Sequence, residues 1–187
     1  GDTGHLSFDE VTRTYIATLK EGEMGRRGRS IALATSKDFE HWSQPELVFH
    51  ADDKDVELAK EHIAERLANP QMVQPIYNVP EEYFVDVYNM GMFRYEGLYI
   101  GMAAFFHHTG DVNENSDGFH IVQLASSRDL YNWNRVAERA AFITPSAIDT
   151  GNYDLTQIMS PSRPVQMNGE LWFYYYGGKY RSPHEDD

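Results

Sequence analysis

Several polar side chains stand where apolar, strand-like runs begin, and their chemistry suits a ligand site. Asp86 precedes one such run, and Asp154 and Gln157 lead into another. A carboxylate can hold hydroxyl groups or move a proton, and an amide both donates and accepts hydrogen bonds. The adjacent His107 and His108 could bind a sugar or a metal, but neighbours on an extended segment point to opposite faces. A joint metal site is therefore not expected, and each residue could equally be a cap or a packing group.

Positive charge is scarce in this chain. The formal net charge is −13 at pH 7, which would repel phosphate backbones and argues against nucleic acid as a partner. The one basic cluster, Arg-Arg-Gly-Arg over 26–29, lies among glycines and is expected to be a solvated loop. Arg163 follows the last group of polar candidates and could pair with a nearby carboxylate.

The composition favours sheet structure over helix bundles. Aromatic residues make up 13% of the 187 residues, with 12 Tyr, 10 Phe and 3 Trp, and such side chains are enriched in strands. Aromatic rings also suit the C–H faces of sugars, although most rings belong to a core. The sequence has no Cys, so no disulfide or thiolate metal site is expected, and no cofactor is predicted. No apolar run has membrane length, so no membrane partner is expected.

An internal repeat defines the elements that must position these polar groups. The signature Ser-x-Asp-x-x-x-Trp occurs at Ser36–Trp42 and again at Ser127–Trp133. A short apolar run precedes each copy, and a further apolar stretch follows it. Self-similarity of this kind indicates one supersecondary unit that is used more than once.

The repeated signature is typical of a turn between two strands. Its Ser and Asp are expected to bond nearby backbone amides, and its Trp ring is expected to cover the turn. Asp38 and Asp129 look like repeated catalytic acids, but their position in outer turns favours an architectural role.

Apolar alternation predicts a four-stranded meander around each signature. In the first unit the strands are expected near 5–8, 14–19, 30–35 and 47–49. In the second unit the strands are expected near 89–93, 98–106, 119–126 and 135–143. A polar loop is expected over 107–118.

Residues 51–70 break the strand pattern. An apolar stripe recurs there at spacings of three and four: Val56, Ala59, Ile63 and Leu67. The stripe predicts an amphipathic α-helix, over about 53–68, inserted between the two units. Asp52 or Asp53 could cap its start, and Pro70 would end it.

A third unit begins near Gln157 and carries an Asn168-Gly169 hairpin signal, followed by an apolar run over 171–176. Its remaining strands are not evident. The sequence therefore predicts an all-β fold, a β-propeller of four-stranded antiparallel blades in one partial domain over 1–187, with about two and a half blades present. So few blades cannot close, which predicts a fragment of a larger propeller or a homo-oligomer joined through open blade edges.

Besides the signature turns, three groups of residues carry a family likeness: Gly1-Asp2-Thr3 with Phe8-Asp9 and Tyr15, then Tyr95–Tyr99, then Gly169–Trp172. With the turns, they resemble the five-bladed β-propeller glycoside hydrolases, which include invertase-like, levanase-like and arabinanase-like families. The likeness looks closest to uncharacterised bacterial propellers of the invertase type. It implies a carbohydrate ligand and hydrolysis of O-glycosyl bonds where the protein is active. It favours an extracellular or periplasmic location, which the residues themselves do not determine.

Enzymes of that group use three carboxylates at the starts of inner strands: a nucleophile, an Asp in an Arg-Asp-Pro motif, and a Glu that is the general acid. By the resemblance, the Arg-Asp-Pro position falls on Asp2, whose neighbours differ, and the acid falls on Asn89. The nucleophile's blade would lie before Gly1. An amide cannot donate a proton as a carboxylic acid does, so Asp86 is the candidate replacement acid.

Two functions stay open at this point. In the first, Asp2 and Asp86 are catalytic and act on a glycoside. The residues expected to bind its substrate are Asn89, His107, His108, Asp154, Gln157 and Arg163. In the second, the chain is a non-catalytic carbohydrate-binding or scaffold propeller, which an amide at the acid position favours.

Overall fold

The computed structural model of the chain describes residues 3–22, 28–112, 115–149 and 151–180. These residues are mostly β-strand, arranged in antiparallel sheets, with one α-helix among them.

The first sheet is the four-stranded meander that the sequence predicts. Its strands follow one another in chain order: β1 Gly4–Asp9, β2 Thr14–Glu21, β3 Ser30–Ser36 and β4 Glu46–Phe49. All three pairings are antiparallel, with a register shift between β3 and β4. Apolar side chains from β2 and β3 enter the core, among them Ile16, Ile31 and Leu33.

A single α-helix, α1, spans Asp53–Ala68 after the first sheet. Asp52 and Asp55 form a reciprocal capping box, in which each side chain accepts the other's backbone N–H. The buried side of α1 carries Ala59 and Ile63, as the apolar stripe predicts, but Leu67 is 37% exposed. Arg66 takes the inward position, because its guanidinium donates to two backbone carbonyls and lies over an aromatic ring.

The second sheet repeats the meander with longer strands. They are β5 Phe84–Tyr95, β6 Leu98–Val112, β7 Asn115–Ser127 and β8 Trp133–Arg135. A further short strand, β9 Ala141–Ile143, also pairs with β7. The fourth strand expected near 135–143 is therefore two short pieces.

The polar loop expected over 107–118 is wrong, because β6 and β7 continue as a paired hairpin through this stretch. His107, His108 and Thr109 are almost wholly buried. These polar residues are buried because α1 covers one face of the hairpin and aromatic side chains of β5 and β6 cover the other. Their side chains therefore lie within the fold and do not form a solvated loop.

The third unit consists of short strands. β10 Gln157–Met159 pairs with β13 Tyr176–Gly178, and β11 Val165–Met167 pairs with β12 Glu170–Trp172. The predicted hairpin at Asn168-Gly169 is confirmed, since both residues have positive φ. The apolar run expected as one strand over 171–176 is divided between β12 and β13.

Both signature turns have the geometry that the repeat predicts. In the first, Ser36 Oγ accepts the N–H groups of residues 38 and 39, and Asp38 Oδ1 accepts those of residues 40 and 41. In the second, Ser127 and Asp129 make the same four contacts. The Trp of each turn donates its indole N–H to the fourth residue's carbonyl. These Asp residues are therefore turn caps.

The two meanders pack side by side, with β1 next to β5. Side-chain hydroxyls of Thr3, Ser7 and Thr18 donate to backbone carbonyls of β5. Thr3 meets Tyr88 and Ser7 meets Met92, so β1 and β5 run in the same direction and begin at the same end of the molecule. One core, shared by both sheets, lies between them.

Within the described ranges the sheets stay open, and no closed barrel or propeller forms. Two open meanders and a third group of short strands are what the structure shows. The propeller architecture remains a prediction.

Candidate functional site

A buried polar cluster lies at the end of the molecule where β5 begins. Asp86 is on β5, and it pairs in register with Phe106 of β6, two residues before His108. Because alternate residues of a strand share a face, Asp86, Phe106 and His108 project to the same side of the sheet. Asp86 and His108 are both 0% exposed. No other predicted site residues in the described part of the chain are as deeply buried.

Arg29 reaches this cluster from the first meander. Its backbone N–H donates to Asp86 Oδ2 at 3.1 Å, and its Nη1 lies 3.6 Å from Asp86 Oδ1. Its carbonyl accepts the N–H of Val87 at 3.0 Å. Gly28 allows this approach: it has φ +60, and a Cβ there would lie 2.5 Å from Asp86 Cβ. The expectation of a solvated loop is thus wrong for Arg29, while positions 26 and 27 lie outside the described residues.

His108 lies against the same carboxylate oxygen of Asp86 that accepts the backbone N–H of Arg29. Its Nε2 is 3.4 Å from Asp86 Oδ2, and its ring stacks on Phe84 with centroids 3.6 Å apart. Burial lowers the pKa of His108, and Arg29 lowers it further, while Asp86 opposes both. The imidazole is therefore neutral at pH 7, with one nitrogen able to donate and the other to accept.

Polar atoms in the cluster remain without a hydrogen bond inside the described part of the chain. They are Asp86 Oδ1 and both ring nitrogens of His108. Buried polar atoms are nearly always hydrogen-bonded, so such a group usually marks a place where water or a ligand supplies the partner. The chemistry available here is that of a carboxylate acceptor next to a neutral imidazole.

Aromatic rings and two cations surround the cluster. Arg29 lies over the rings of Tyr88 and Phe106, at 5.0 and 5.5 Å from their centroids, and Lys20 lies 4.4 Å from the Tyr88 centroid. His120, on β7, makes ring contacts with the same two aromatics. The site therefore combines one carboxylate with imidazole, guanidinium, ammonium and aromatic groups.

Asn89 is held by the protein itself. Its Oδ1 accepts hydrogen bonds from both the backbone N–H and the hydroxyl of Ser160, and its Nδ2 lies 2.9 Å from the sulfur of Met159. The side chain is 3% exposed. In this structure Asn89 links β5 to the third unit.

Asp2 lies outside the described residues. The next residue, Thr3, donates its hydroxyl to the carbonyl of Tyr88 at 3.3 Å. The start of the first meander therefore approaches the same end of β5 that carries Asp86.

Asp154 and Gln157 lie on the third unit. Asp154 is buried and accepts a hydrogen bond from the Tyr175 hydroxyl at 2.7 Å, and burial together with this carboxylate raises the pKa of Tyr175. Gln157 is half-buried and pairs with Gly178. The segment between them is tied to β7, since the N–H of His120 donates to the carbonyl of Thr156.

His107 and Arg163 are separated from Asp86. His107 projects from the opposite face of β6 towards α1, where it contacts His62. Arg163 is exposed at the far ends of β1 and β5, where it lines a cavity of about 480 Å³ with Phe8 and Arg94. His107 is separated from Asp86 by the face of the strand from which it projects. Arg163 is separated from Asp86 by the end of the strands at which it lies.

Among the described residues, no group of three or more His, Asp or Glu side chains is arranged to hold a metal ion. No helix in the same part of the chain is long and apolar enough to span a membrane.

Comparison with known proteins finds a likeness of fold. No protein-family model matches this chain, and no curated protein matches it significantly. A solved structure of an N-acetylgalactosamine deacetylase from F. plautii, in complex with blood group B trisaccharide, is similar with a TM-score of 0.50 and 14% sequence identity. The match covers 90% of this chain and 37% of that chain, so this chain spans well under half of its neighbour's length.

Sequence reasoning missed Arg29 and Tyr88 as members of the cluster. The signal that could have found Arg29 is the glycine that precedes it, since a glycine beside an arginine can let the backbone approach another strand. Tyr88 had no such signal, because its place depends on the bulge in β5 between Val87 and Asn89.

Proposed function

We propose that this chain is a segment of a glycoside-hydrolase-like β-propeller that acts on carbohydrate. Asp86, Arg29 and His108 form the centre that holds sugar hydroxyls. Asp2, which the family resemblance aligns with the Asp that holds sugar hydroxyls, is proposed to join them. The repeated turns and the matching meanders support the blade interpretation, and the similar fold of a carbohydrate-acting enzyme supports a carbohydrate-related function.

The observation that carries the proposal is the unsatisfied carboxylate oxygen of Asp86. The Asp86 side chain is fully buried near the start of β5, and it lies beside a neutral imidazole whose ring nitrogens have no hydrogen bond in the described residues. Sugar hydroxyls both donate and accept, so one hydroxyl can donate to the carboxylate while a second bonds to the imidazole.

The second candidate function is carbohydrate binding without turnover. Asn89, at the position of the family's general acid, uses both ends of its amide within the protein. It therefore has no role left in proton transfer. In this second function, the Asp86 cluster binds the carbohydrate but does not hydrolyse it.

The test combines hydrolysis and binding. Release of aryl alcohol from a panel of nitrophenyl glycosides measures turnover, and calorimetry with oligosaccharides measures binding. Asp86→Asn preserves side-chain volume but removes the charge, and it is expected to reduce turnover by about 100-fold or more if Asp86 transfers a proton. Asp53→Asn, at the exposed start of α1, is the matched control and is expected to keep wild-type activity.

The outcomes separate the two candidates. Turnover that Asp86→Asn abolishes while circular dichroism stays unchanged supports the hydrolase. Saturable binding without turnover, lost in Asp86→Asn, supports the binding protein. Hydrolysis and binding that Asp86→Asn leaves unchanged would refute this location of the site, and the absence of both activities in the wild type would refute the carbohydrate function.

A further inference from the structure

Two histidines form a hydrogen-bonded pair on the opposite side of β6 from Asp86. His62 Nδ1, on α1, lies 3.0 Å from Nε2 of His107, and the two ring centroids are 5.1 Å apart. His107 is 1% exposed, and its ring stacks on Phe119 at 4.9 Å. The pair is independent of the proposed hydrolase centre, because it lies on the other face of the sheet.

The contacts of His107 determine the tautomers of both rings. His107 Nδ1 lies 3.2 Å from the carbonyl oxygen of Phe105, and a carbonyl can only accept. Nδ1 of His107 therefore carries the proton, and its Nε2 accepts. His62 Nδ1 must then be the donor, which leaves Nε2 of His62 as a hydrogen-bond acceptor.

Both rings are neutral at pH 7. Burial, with a smaller contribution from the neighbouring His62, lowers the pKa of His107 to about 3. Burial also lowers the pKa of His62, against the opposing effect of Glu65 and Glu61. Geometry thus sets the direction of the hydrogen bonds from Phe105 through His107 to His62. The lowered pKa values keep both imidazole rings neutral.

His62 lies at a cavity of about 250 Å³ between α1, β7 and the segment after β9. Phe119 and Ile121 form an apolar wall, and Arg66 is fixed over Phe119 at 4.5 Å from its centroid. Arg66 donates to the carbonyls of Val73 and Leu155, so its guanidinium is part of the wall. Pockets for drug-sized ligands measure about 300–1,000 Å³, so this cavity suits a smaller molecule, the size of a monosaccharide.

The polar groups of the cavity define the chemistry of an occupant. Glu65, three residues after His62 on α1, adds a carboxylate acceptor to the lining. Asn69 adds an amide whose oxygen already accepts the N–H of Gln71, so its N–H₂ group is the part that can face a ligand. Acceptors, an amide donor and an apolar wall together suit a small uncharged molecule with several hydroxyl groups.

We infer that the cavity at His62 is a second ligand site, separate from the Asp86 cluster, that binds a small polyhydroxylated molecule such as a monosaccharide or polyol. Nε2 of His62 accepts a hydrogen bond from a hydroxyl group of the ligand. His107 is a positioning residue, because it holds the His62 ring in the tautomer that leaves Nε2 free of a proton.

The first test measures the tautomer. Long-range ¹H–¹⁵N correlation spectra at pH 7 are expected to show His62 and His107 both protonated at Nδ1. His107→Gln keeps an oxygen that can accept from His62 Nδ1, whereas His107→Phe removes the acceptor. We expect the His62 tautomer to survive in the first variant and to become mixed in the second. A His62 ring protonated at Nε2 in the wild type would overturn the inference.

The second test measures binding with defined probes: methyl galactoside, methyl glucoside, N-acetylgalactosamine and glycerol. At least one is expected to shift the His62 ring signals saturably. His62→Ala is expected to weaken that binding by about tenfold or more, which is the loss of one good hydrogen bond. His41→Ala removes an exposed imidazole from the first signature turn and is the matched control, with unchanged affinity expected.

The variants also separate this site from the proposed function. Binding that His62→Ala weakens and Asp86→Asn preserves supports a second site. Binding that only Asp86→Asn weakens would overturn the inference and leave the proposed function standing. If no probe perturbs the His62 ring up to its solubility, the inference is also overturned.

Discussion

At the scale of single residues, identical carboxylates have different roles because their partners differ. Asp38 and Asp129 accept backbone N–H groups in exposed turns, and those N–H groups, above all those of His41 and Asn132, lower the pKa of each. Asp86 is buried and keeps an oxygen without a hydrogen bond in the described residues. The repeated Asp residues are therefore structural, and the unrepeated one is the candidate for chemistry.

Asp9 provides a pH-dependent contribution to stability. Burial alone would raise its pKa, but hydrogen bonds from Tyr99, Thr12 and the N–H of Val11 outweigh burial and lower the pKa to about 2. The unfolded value is about 3.9, so the contribution is complete above that pH and is lost as the pH falls towards 2. We predict that Asp9→Asn lowers the free energy of unfolding by about 1–2 kcal/mol at pH 7.

Urea denaturation from pH 7 to pH 2.5 measures this effect. The difference between wild type and Asp9→Asn is expected to shrink towards the acid end. Glu10→Gln, an exposed neighbour, is the control. A difference that stays constant over the whole range would contradict the assigned role of the Asp9 charge.

At the scale of elements, the signature turns were predictable because their hydrogen bonds are local. Ser36 and Ser127 are buried, and the hydroxyl oxygen of each accepts hydrogen bonds from two backbone N–H groups. We predict that Ser36→Ala and Ser127→Ala each lower the free energy of unfolding by about 1 kcal/mol, as at a helix N-cap. Thermal denaturation of each variant, with Ser43→Ala as a less buried comparison, measures the loss. A null effect in only one turn would show that the two copies are not equivalent.

The start of α1 is fastened by a turn that sequence reasoning did not foresee. Arg139 bonds both oxygens of Asp52 at 2.7 and 2.8 Å and lies 2.7 Å from Asp55. Arg139 follows Ala137 and Glu138 in a tight turn, and all three residues have positive φ. No glycine marks this left-handed turn, so local propensity argued for a continuous strand over 135–143.

Two substitutions in this turn should have opposite effects. Arg139→Gln removes a paired charge and is predicted to lower the free energy of unfolding by about 1–3 kcal/mol. Ala137→Gly relieves a left-handed residue and is predicted to raise it by about 1 kcal/mol. Chemical denaturation gives both values. A loss of stability in Ala137→Gly would show that the turn is not strained.

At the scale of the whole molecule, the predictable features are those determined within a few residues of chain. The meanders, the capped helix and the Asn168-Gly169 hairpin follow from local patterns. The candidate site depends on contacts between distant segments: Arg29 meets Asp86 across the two sheets, and His107 meets His62 across the helix interface. A single sequence contains no signal for these pairs, although strand alternation does place His107 and His108 on opposite faces.

The shared core implies that the two meanders unfold together. Ile31 of the first sheet and Phe105 of the second belong to one buried cluster. Each sheet also carries a tryptophan in its signature turn, Trp42 in the first and Trp133 in the second. Fluorescence of variants that keep only one of these tryptophans, with Trp172 and the other replaced by Phe, is predicted to give the same urea midpoint for both sheets.

The variant Phe105→Ala tests the coupling directly. Truncation of a buried phenylalanine costs about 3–5 kcal/mol, and this ring is in edge contact with Phe49 of the first sheet at 6.1 Å. Both tryptophan midpoints should therefore fall by the same amount, although the substitution lies in the second sheet. If only the Trp133 midpoint falls, the meanders are separate folding units, and the interface that brings Arg29 to Asp86 would have to form without a common core.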